Sequence, residues 1–372
     1  MQGAAVTVNL IMAVRTGMNN NYACIRLVAA LFVFAGHMGM VLNGRPPLLG
    51  SMPVHELGVA MLFLIGGCLV SQSWERDKNI PRFAVRRFFR LWPPFAFMIL
   101  VMTFVSGPLL SELGIRGYFS SWYKEYLNNL RFYIVFAQPG VFTGVPVANV
   151  TNGSLWTMPV EAAAYILTPF LAWIMLKRKQ EGRSGISGIS FAAPFVIAFF
   201  CVLDLYFILY KRPAQFVIYR TDLYAAWHLL VFFVIGIIFG TSQIQKYLNV
   251  QAAFACLMVS LVFQFNSPAI QYPVLYVVLP YCVFSIAYAK PALFSGMTKW
   301  PDLSYGIYLY GFFFQQMIMQ IRVDKQYQWG YLTCLIISLI PTLAAAVVSC
   351  LLVERPAAKA GRYLIKRLKQ IT

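Results

Sequence analysis

Residues 22–42 read Y-A-C-I-R-L-V-A-A-L-F-V-F-A-G-H-M-G-M-V-L, an apolar run in which only Arg26 and His37 can carry a positive charge. At 1.5 Å per residue a helix of this length crosses the roughly 30 Å hydrocarbon core of a bilayer. Arg26 lies near one end of the run and His37 about two thirds of the way across. Eleven residues at 100° each bring the two side chains to within about 20° of one another, roughly 16 Å apart along the axis. One face of this helix therefore carries a guanidinium near the membrane surface and an imidazole deep inside.

The rest of the chain has the same character. Of its 372 residues 60% are hydrophobic and only 11% charged, and the mean hydropathy is +0.67. Soluble domains hold roughly 25% charged residues. The sequence predicts an all-α, polytopic integral membrane protein of about ten transmembrane helices in one bundle, over residues 22–43, 54–73, 93–110, 155–177, 188–210, 222–242, 248–264, 270–289, 302–321 and 330–353. An N-terminal tail, 1–21, precedes this membrane domain, 22–353, and a basic tail, 354–372, follows it. The run Ala4 to Val14 is too short to span and follows no basic residue, so it reads as a tail or interfacial segment.

The net charge of +18 would suggest nucleic acid in a soluble protein. In this chain it reads as positive-inside bias, with no nucleic-acid partner expected. Twenty Lys and Arg fall on one side of the ten-span arrangement and nine on the other, which places both termini in the cytoplasm. The seven cysteines are scattered through apolar spans without the spacing of a metal site or disulfide framework, so no metal is expected. The longest loop, 111–154, falls outside. Its aromatic residues suit short interfacial helices, a natural lid, and it holds the triplets Asn149-Val-Thr and Asn152-Gly-Ser.

A second polar intrusion sits in G-S-L-W-T-M-P-V-E-A-A-A-Y, residues 153–165. With the outer end of this span near Leu155, Trp156 serves as an interfacial anchor, Pro159 falls in the tolerant first helical turn, and Glu161 lies about 9 Å deep. His37 reaches the same depth from the outer end of the first span. A carboxylate and an imidazole at one level of a low-dielectric bundle form an acid/base unit in which the acid orients the histidine. Asp204, His228, Gln315 and Gln316 are expected in the same layer, some of them as helix-to-helix hydrogen bonds. On the cytoplasmic side, Arg82, Arg86, Arg87 and Arg90 recur at helical spacing before Trp92 and Pro93. They suit either anionic lipid headgroups or a phosphate held by guanidinium forks.

These residues resemble a known family, the acyltransferase family 3 of integral-membrane O-acyltransferases that modify cell-surface glycans. Arg26 and His37 resemble its R-x10-H signature, R-R-F-F-R-L-W-P at 86–93 its basic segment, and S-L-W-T-M-P-V-E at 154–161 its W-S-L-x-V-E segment. L-S-Y-G-I-Y-L-Y at 303–310 and V-E-R-P at 353–356 are similar to its late helix and its closing motif. The second helix departs from the family, reading A-M-L-F-L-I-G-G-C-L-V at 60–70 where many members carry an acid and a serine. Gly311 is followed by F-F-F-Q-Q, with Phe313 replacing a proline. No appended extracytoplasmic domain is expected after the membrane domain, which would then deliver the acyl group itself or to another protein.

The resemblance implies acetyl-CoA as cytoplasmic acyl donor and, as acceptor, a sugar hydroxyl of a lipid-linked O-antigen or exopolysaccharide unit at the outer side of a bacterial inner membrane. Arg26, Arg82, Arg86, Arg87 and Arg90 would hold the donor's phosphates. His37 would act as base or transient acyl carrier supported by Glu161, and Trp156, Tyr305, Gln315 and Gln316 would contact the acceptor. A proton-coupled transporter would also place ionisable residues in the membrane. A polyprenyl-sugar-dependent glycosyltransferase is the other alternative, although loop 111–154 offers only Glu112 and Glu125 as acids.

Overall fold

The computed structural model describes residues 20–178, 186–211, 214–263, 267–292, 294, 296, 297 and 301–371. The run Ala4 to Val14 and several cations of the charge count (Arg15, Lys179, Arg183, Arg212 and Lys299) lie outside the described residues.

The protein is helical. The main elements are α1 (Tyr22–Asn43), α2 (Val54–Arg76), α3 (Ile80–Val101), α4 (Gly114–Ser120), α5 (Met158–Met175), α6 (Ala193–Tyr210), α7 (Leu223–Phe239), α8 (Val250–Phe263), α9 (Pro268–Ala287), α10 (Ser304–Asp324), α11 (Tyr331–Ser349) and α12 (Arg355–Ile371). Short helical turns and three two-stranded hairpins complete the described order, and one hairpin, Leu48–Leu49 with Met52–Pro53, links α1 to α2. Seven helical stretches are long and apolar enough to cross a membrane, namely Tyr22–Asn43, Val54–Arg76, Ile80–Leu110, Gly153–Met175, Ala193–Tyr210, Pro268–Ala287 and Tyr331–Gln370. This is a polytopic membrane protein.

Three of the ten expected spans fall short of that measure, for two reasons. Helices α7 and α8 are apolar but short. Helix α10 is long but polar, and its Gln315 and Gln316 are fully buried among other helices. A helix enclosed by protein can carry amides because neighbouring helices supply the partners that lipid cannot.

The expected basic loop 74–92 is also different. Asn79 caps α3 by accepting from the Arg82 amide at 3.0 Å, and Pro81 sits in the first turn, where no amide donor is needed. The arginines therefore ride on the first three turns of a helix that continues through a π-helical turn, Met102–Ser106, to Leu110. The basic tail is helical too, joined to α11 through a second π-helical turn, Cys350–Glu354. It packs back on α3, where a Cβ at Gly361 would meet the Phe89 side chain at 3.0 Å.

Helix α2 is central and touches α1, α5 and α7. Its contact with α7 depends on a reciprocal pair of glycines. A Cβ at Gly67 would lie 1.9 Å from the Phe233 carbonyl oxygen, and one at Gly236 would lie 2.1 Å from that of Leu64. Only hydrogen fits at both crossings, the close-approach device expected where lipid gives helices no hydrophobic drive to associate.

The loop 111–154 does more than lie at an interface. Tyr118 and Tyr126 are fully buried, and the Tyr118 hydroxyl donates to the Thr103 carbonyl at 2.9 Å, locking α4 onto the end of α3. Beyond Phe132 the chain runs down into the bundle beside α10. The Gln316 amide donates to the carbonyls of Val147 and Val150, both at 2.7 Å. Further along, Asn152 Nδ2 donates to the Leu309 carbonyl at 2.7 Å, and the Tyr308 hydroxyl contacts Thr157 and donates to the Ser154 carbonyl at 3.3 Å. From Gln316 to Tyr308 is eight residues of helix, about 12 Å. Irregular backbone persists at this depth because side chains of α10 satisfy it.

That descent corrects the expected depths. Leu155 is buried inside the bundle, not at its outer surface, and Trp156 is half-buried in the 3-10 turn Gly153–Thr157 instead of anchoring an interface. Asn152 is likewise a buried pin, enclosed by protein.

Candidate active site

The early turns of α1, α5 and α10 and the second and third turns of α3 meet around a cavity of about 150 Å³ at the end of the bundle that bears the arginines. Its polar lining is Arg26, Arg87, Arg90, Glu161, Tyr165 and Tyr305, with Thr157, Ser304 and Tyr308 nearby. Position along the helix selects these arginines. Arg87 and Arg90, farther along α3, line the cavity, while Arg82 and Arg86, nearer its start, turn to the loop ahead of the helix.

There Arg82 forms two bonds of 3.1 Å and one of 2.6 Å with the Asp77 carboxylate, and Arg86 contributes another of 2.6 Å. The hydrogen bonds from Arg82 first, and then those from Arg86, hold the Asp77 carboxyl at about 2, well below the usual range. The sequence treated all four arginines alike, as suited to lipid headgroups or a phosphate, and the family resemblance implied that they hold the donor's phosphates. The structure divides them, because Asp77, a residue without a motif, engages two.

The cavity arginines have carboxylate neighbours as well. Asp302 stands 3.1 Å from Arg26 and 3.5 Å from Arg90, and Glu354 stands 3.5 Å from Arg90. Burial alone would raise the Asp302 carboxyl, but the charges of Arg26 and Arg90 hold it below its ordinary value. Asp302 also accepts from the amide and hydroxyl of Ser304, at 3.3 and 2.6 Å, which fixes it at the start of α10. Arg90 lies over the Tyr305 ring at 5.4 Å, and Arg87 over those of Tyr165 and Phe83 at 5.5 and 5.7 Å. The Nε atoms of Arg26 and Arg87 are buried without a hydrogen-bond partner. Guanidinium groups lining a cavity are chemically suited to an anionic oxygen ligand.

Glu161 is in this cavity, not beside His37. Its carboxylate accepts from the Tyr165 hydroxyl one helical turn along α5, and its charged neighbours are Arg87 and Arg90. His37 stands farther up α1, with ring neighbours His55 at 5.6 Å and Phe312 at 5.3 Å between centroids. Among the described residues no hydrogen bond or ion pair joins it to Glu161. The expected pair fails because residues 147–157 descend before α5 begins, which carries Glu161 toward the arginine end.

The other expected residues also have definite places. Tyr305 donates to the Leu91 carbonyl at 2.8 Å and faces the cavity. Gln315 donates to the Phe34 carbonyl of α1 at 2.7 Å, while Gln316 holds the descending segment. Together, Tyr305, Tyr308, Phe312 and Gln315 form one stripe of α10 that connects the cavity with the His37 level. Asp204 and His228 form a separate buried unit, with His228 Nδ1 2.6 Å from Asp204 Oδ2 and the Tyr276 hydroxyl donating to the same oxygen at 2.5 Å.

Five separated segments thus contribute to one place: Arg26 from α1, Arg87 and Arg90 from α3, Thr157 and Glu161 at the start of α5, Ser304 to Tyr308 from α10, and Glu354 behind Arg90. Fold and site together define a polytopic membrane protein with a guanidinium-lined cavity at one end and a histidine deeper on the same helix.

The sequence pattern of the Acyltransferase domain matches residues 19–351. The chain belongs to this family, acyltransferase family 3, and is an acyltransferase. It is similar to Nodulation protein 10 of Rhizobium leguminosarum bv. viciae, with 28% identity over 369 residues, 95% of this chain and 96% of the relative. It is also similar to the O-acetyl transferase of Shigella phage Sf6, with 27% identity over 152 residues, 40% of this chain and 45% of the relative. No solved structure matches.

Proposed function

We propose that the protein is an O-acyltransferase that moves an acetyl group from cytoplasmic acetyl-CoA to a sugar hydroxyl of a lipid-linked or surface polysaccharide, an O-antigen or exopolysaccharide unit, at the outer side of a bacterial inner membrane. The supporting observation is the placement of Arg26 and His37 on one helix, the first in a guanidinium-lined cavity and the second about 16 Å farther along. A phosphorylated donor anchored at Arg26, Arg87 and Arg90 would extend its thioester along α10 toward His37. The name of the phage relative favours acetyl as the group transferred.

Counting α7, α8 and α10 with the seven long apolar stretches gives ten spans and puts both termini in the cytoplasm, with the arginine cavity on that side. The domain runs over 22–353 with 111–154 as its outer loop. His37 accepts the proton of the attacking hydroxyl, its oxygen bonds the acetyl carbon, the carbon–sulfur bond breaks, and the thiol leaves. Glu161 acts at the donor end, compensating the cavity arginines. Trp156, Gln315 and Gln316 shape the passage, and Tyr305 belongs to the donor cavity.

Mass analysis of surface polysaccharide from strains with and without the gene tests this reading. Acetyl transfer predicts about 42 Da per modified sugar, lost in a His37→Ala strain that retains the protein. Polysaccharide of the same mass in both strains overturns it.

A further inference from the structure

The chain has three histidines, and two of them meet. His55 lies in the first turn of α2, and its ring stands 5.6 Å from that of His37, centroid to centroid, tilted by 39°. The meeting is built into the backbone. A Cβ at Gly36 would lie 2.4 Å from the His55 Cβ and 2.5 Å from its amide nitrogen, so only glycine beside His37 lets α2 come this near. The Phe312 ring also meets His37, roughly perpendicular to it, with centroids 5.3 Å apart. His55 Nδ1 is buried and has no hydrogen-bond partner.

An unpartnered buried ring nitrogen is costly unless something else uses it. Its surroundings narrow what that could be. The hairpin ahead of α2 is held by its own backbone, with the Val54 amide donating to the Pro47 carbonyl at 3.0 Å. From α10 the Phe312 ring meets His37. The titratable groups acting on His55 are His37 from α1 and Glu56 on its own helix. The Glu161 carboxylate that would orient a lone histidine base is bonded to Tyr165 in the arginine cavity.

We propose that His37 and His55 act as one two-imidazole base, with His55 as the positioning residue that shares the proton His37 withdraws from the acceptor hydroxyl. The proposal rests on His37 being the base of the transfer. As the hydroxyl oxygen bonds the acyl carbon of the thioester, its proton passes to His37 and is shared with His55. The carbon–sulfur bond then breaks with its electron pair on sulfur, and the same proton ends on the departing thiolate. Two imidazoles suit this role because one accepts while the other supports the charge, work that a carboxylate performs in other acid/base pairs.

The test uses the full-length protein purified in lipid nanodiscs, with acetyl-CoA and polysaccharide extracted from a strain lacking the gene, following release of free thiol. His55→Gln and His55→Asn are expected to lower kcat by about 10- to 100-fold while the KM for acetyl-CoA stays within about twofold. The rising limb of the pH–rate profile is expected to move by about half a unit or more, because the remaining imidazole loses its partner. A structural role would instead scale the rate equally at every pH. An active His55→Gln enzyme with an unmoved profile, beside an inactive His37→Ala enzyme, overturns the two-imidazole base and leaves His37 as the base. Full activity of both variants overturns both.

Discussion

Asp302 ties the cavity arginines together, so replacing it by asparagine isolates what its charge contributes. The substitution keeps an acceptor for the Ser304 amide and hydroxyl and removes only the attraction to Arg26 at 3.1 Å and Arg90 at 3.5 Å. The carboxylate is 28% exposed, so the effective dielectric lies between that of the interior and water. At that dielectric each attraction is worth about 1–2 kcal/mol, partly offset by the cost of desolvating the charges, and the net loss should be about 2 kcal/mol. Because Arg26 and Arg90 hold the Asp302 carboxyl below its ordinary value, the stabilisation is fully present above the unfolded carboxylate range near 4 and fades as pH falls through the lower folded value. Thermal unfolding of the detergent-purified protein and its Asp302→Asn variant should therefore differ at pH 7 and converge progressively below about pH 4. Equal stability at pH 7, or a difference that persists unchanged into acid, would refute the claim that Asp302 compensates these guanidiniums.

Two further outcomes follow from the same geometry. Arg87→Ala should raise the KM or dissociation constant for acetyl-CoA by about tenfold, as loss of one charge-assisted contact predicts, and an unchanged donor affinity measured by calorimetry would remove Arg87 from the donor site. Asn152→Ala removes the bond to the Leu309 carbonyl and the cap on the Ser154 amide, so it should cost about 2–3 kcal/mol in unfolding, whereas a loss below about 0.5 kcal/mol would mean that the descending segment is held by packing alone.

The residues of the site were more legible than its arrangement. Arg26 and His37 share a face because helical periodicity requires it, and the structure keeps them on one helix at that spacing. The five motif segments read along the chain do converge, since α1, α3, α5 and α10 all present residues near their starts, and the turn behind Arg90 presents Glu354, at the arginine end. The pairing of Glu161 with His37 was inferred from equal depth, and depth depends on where a span begins. Residues 147–157 are apolar enough to resemble the start of a span, yet they enter as irregular chain pinned by Gln316, Asn152 and Tyr308. Nothing in their composition distinguishes helix from descending loop, because both bury the same side chains. Asp77, Asp302 and His55 were missed for a related reason: Asp77 falls between two spans, and His55 and Asp302 stand at the very start of theirs, where an ionisable residue does not stand out.

By itself, the sequence determined that the chain lies in a membrane, which helices are apolar, and which side chains on one helix share a face. Hydropathy and the 3.6-residue period are local properties, and a lone helix obeys them. Tertiary structure alone decided which arginines face the cavity and which face Asp77, that Glu161 stands beside the cavity arginines, and that His55 comes to His37. Those outcomes depend on contacts between segments far apart in the chain: on glycines that let α1, α2 and α7 touch, and on the Gln316 amide of α10 that lets a loop run where lipid would forbid it.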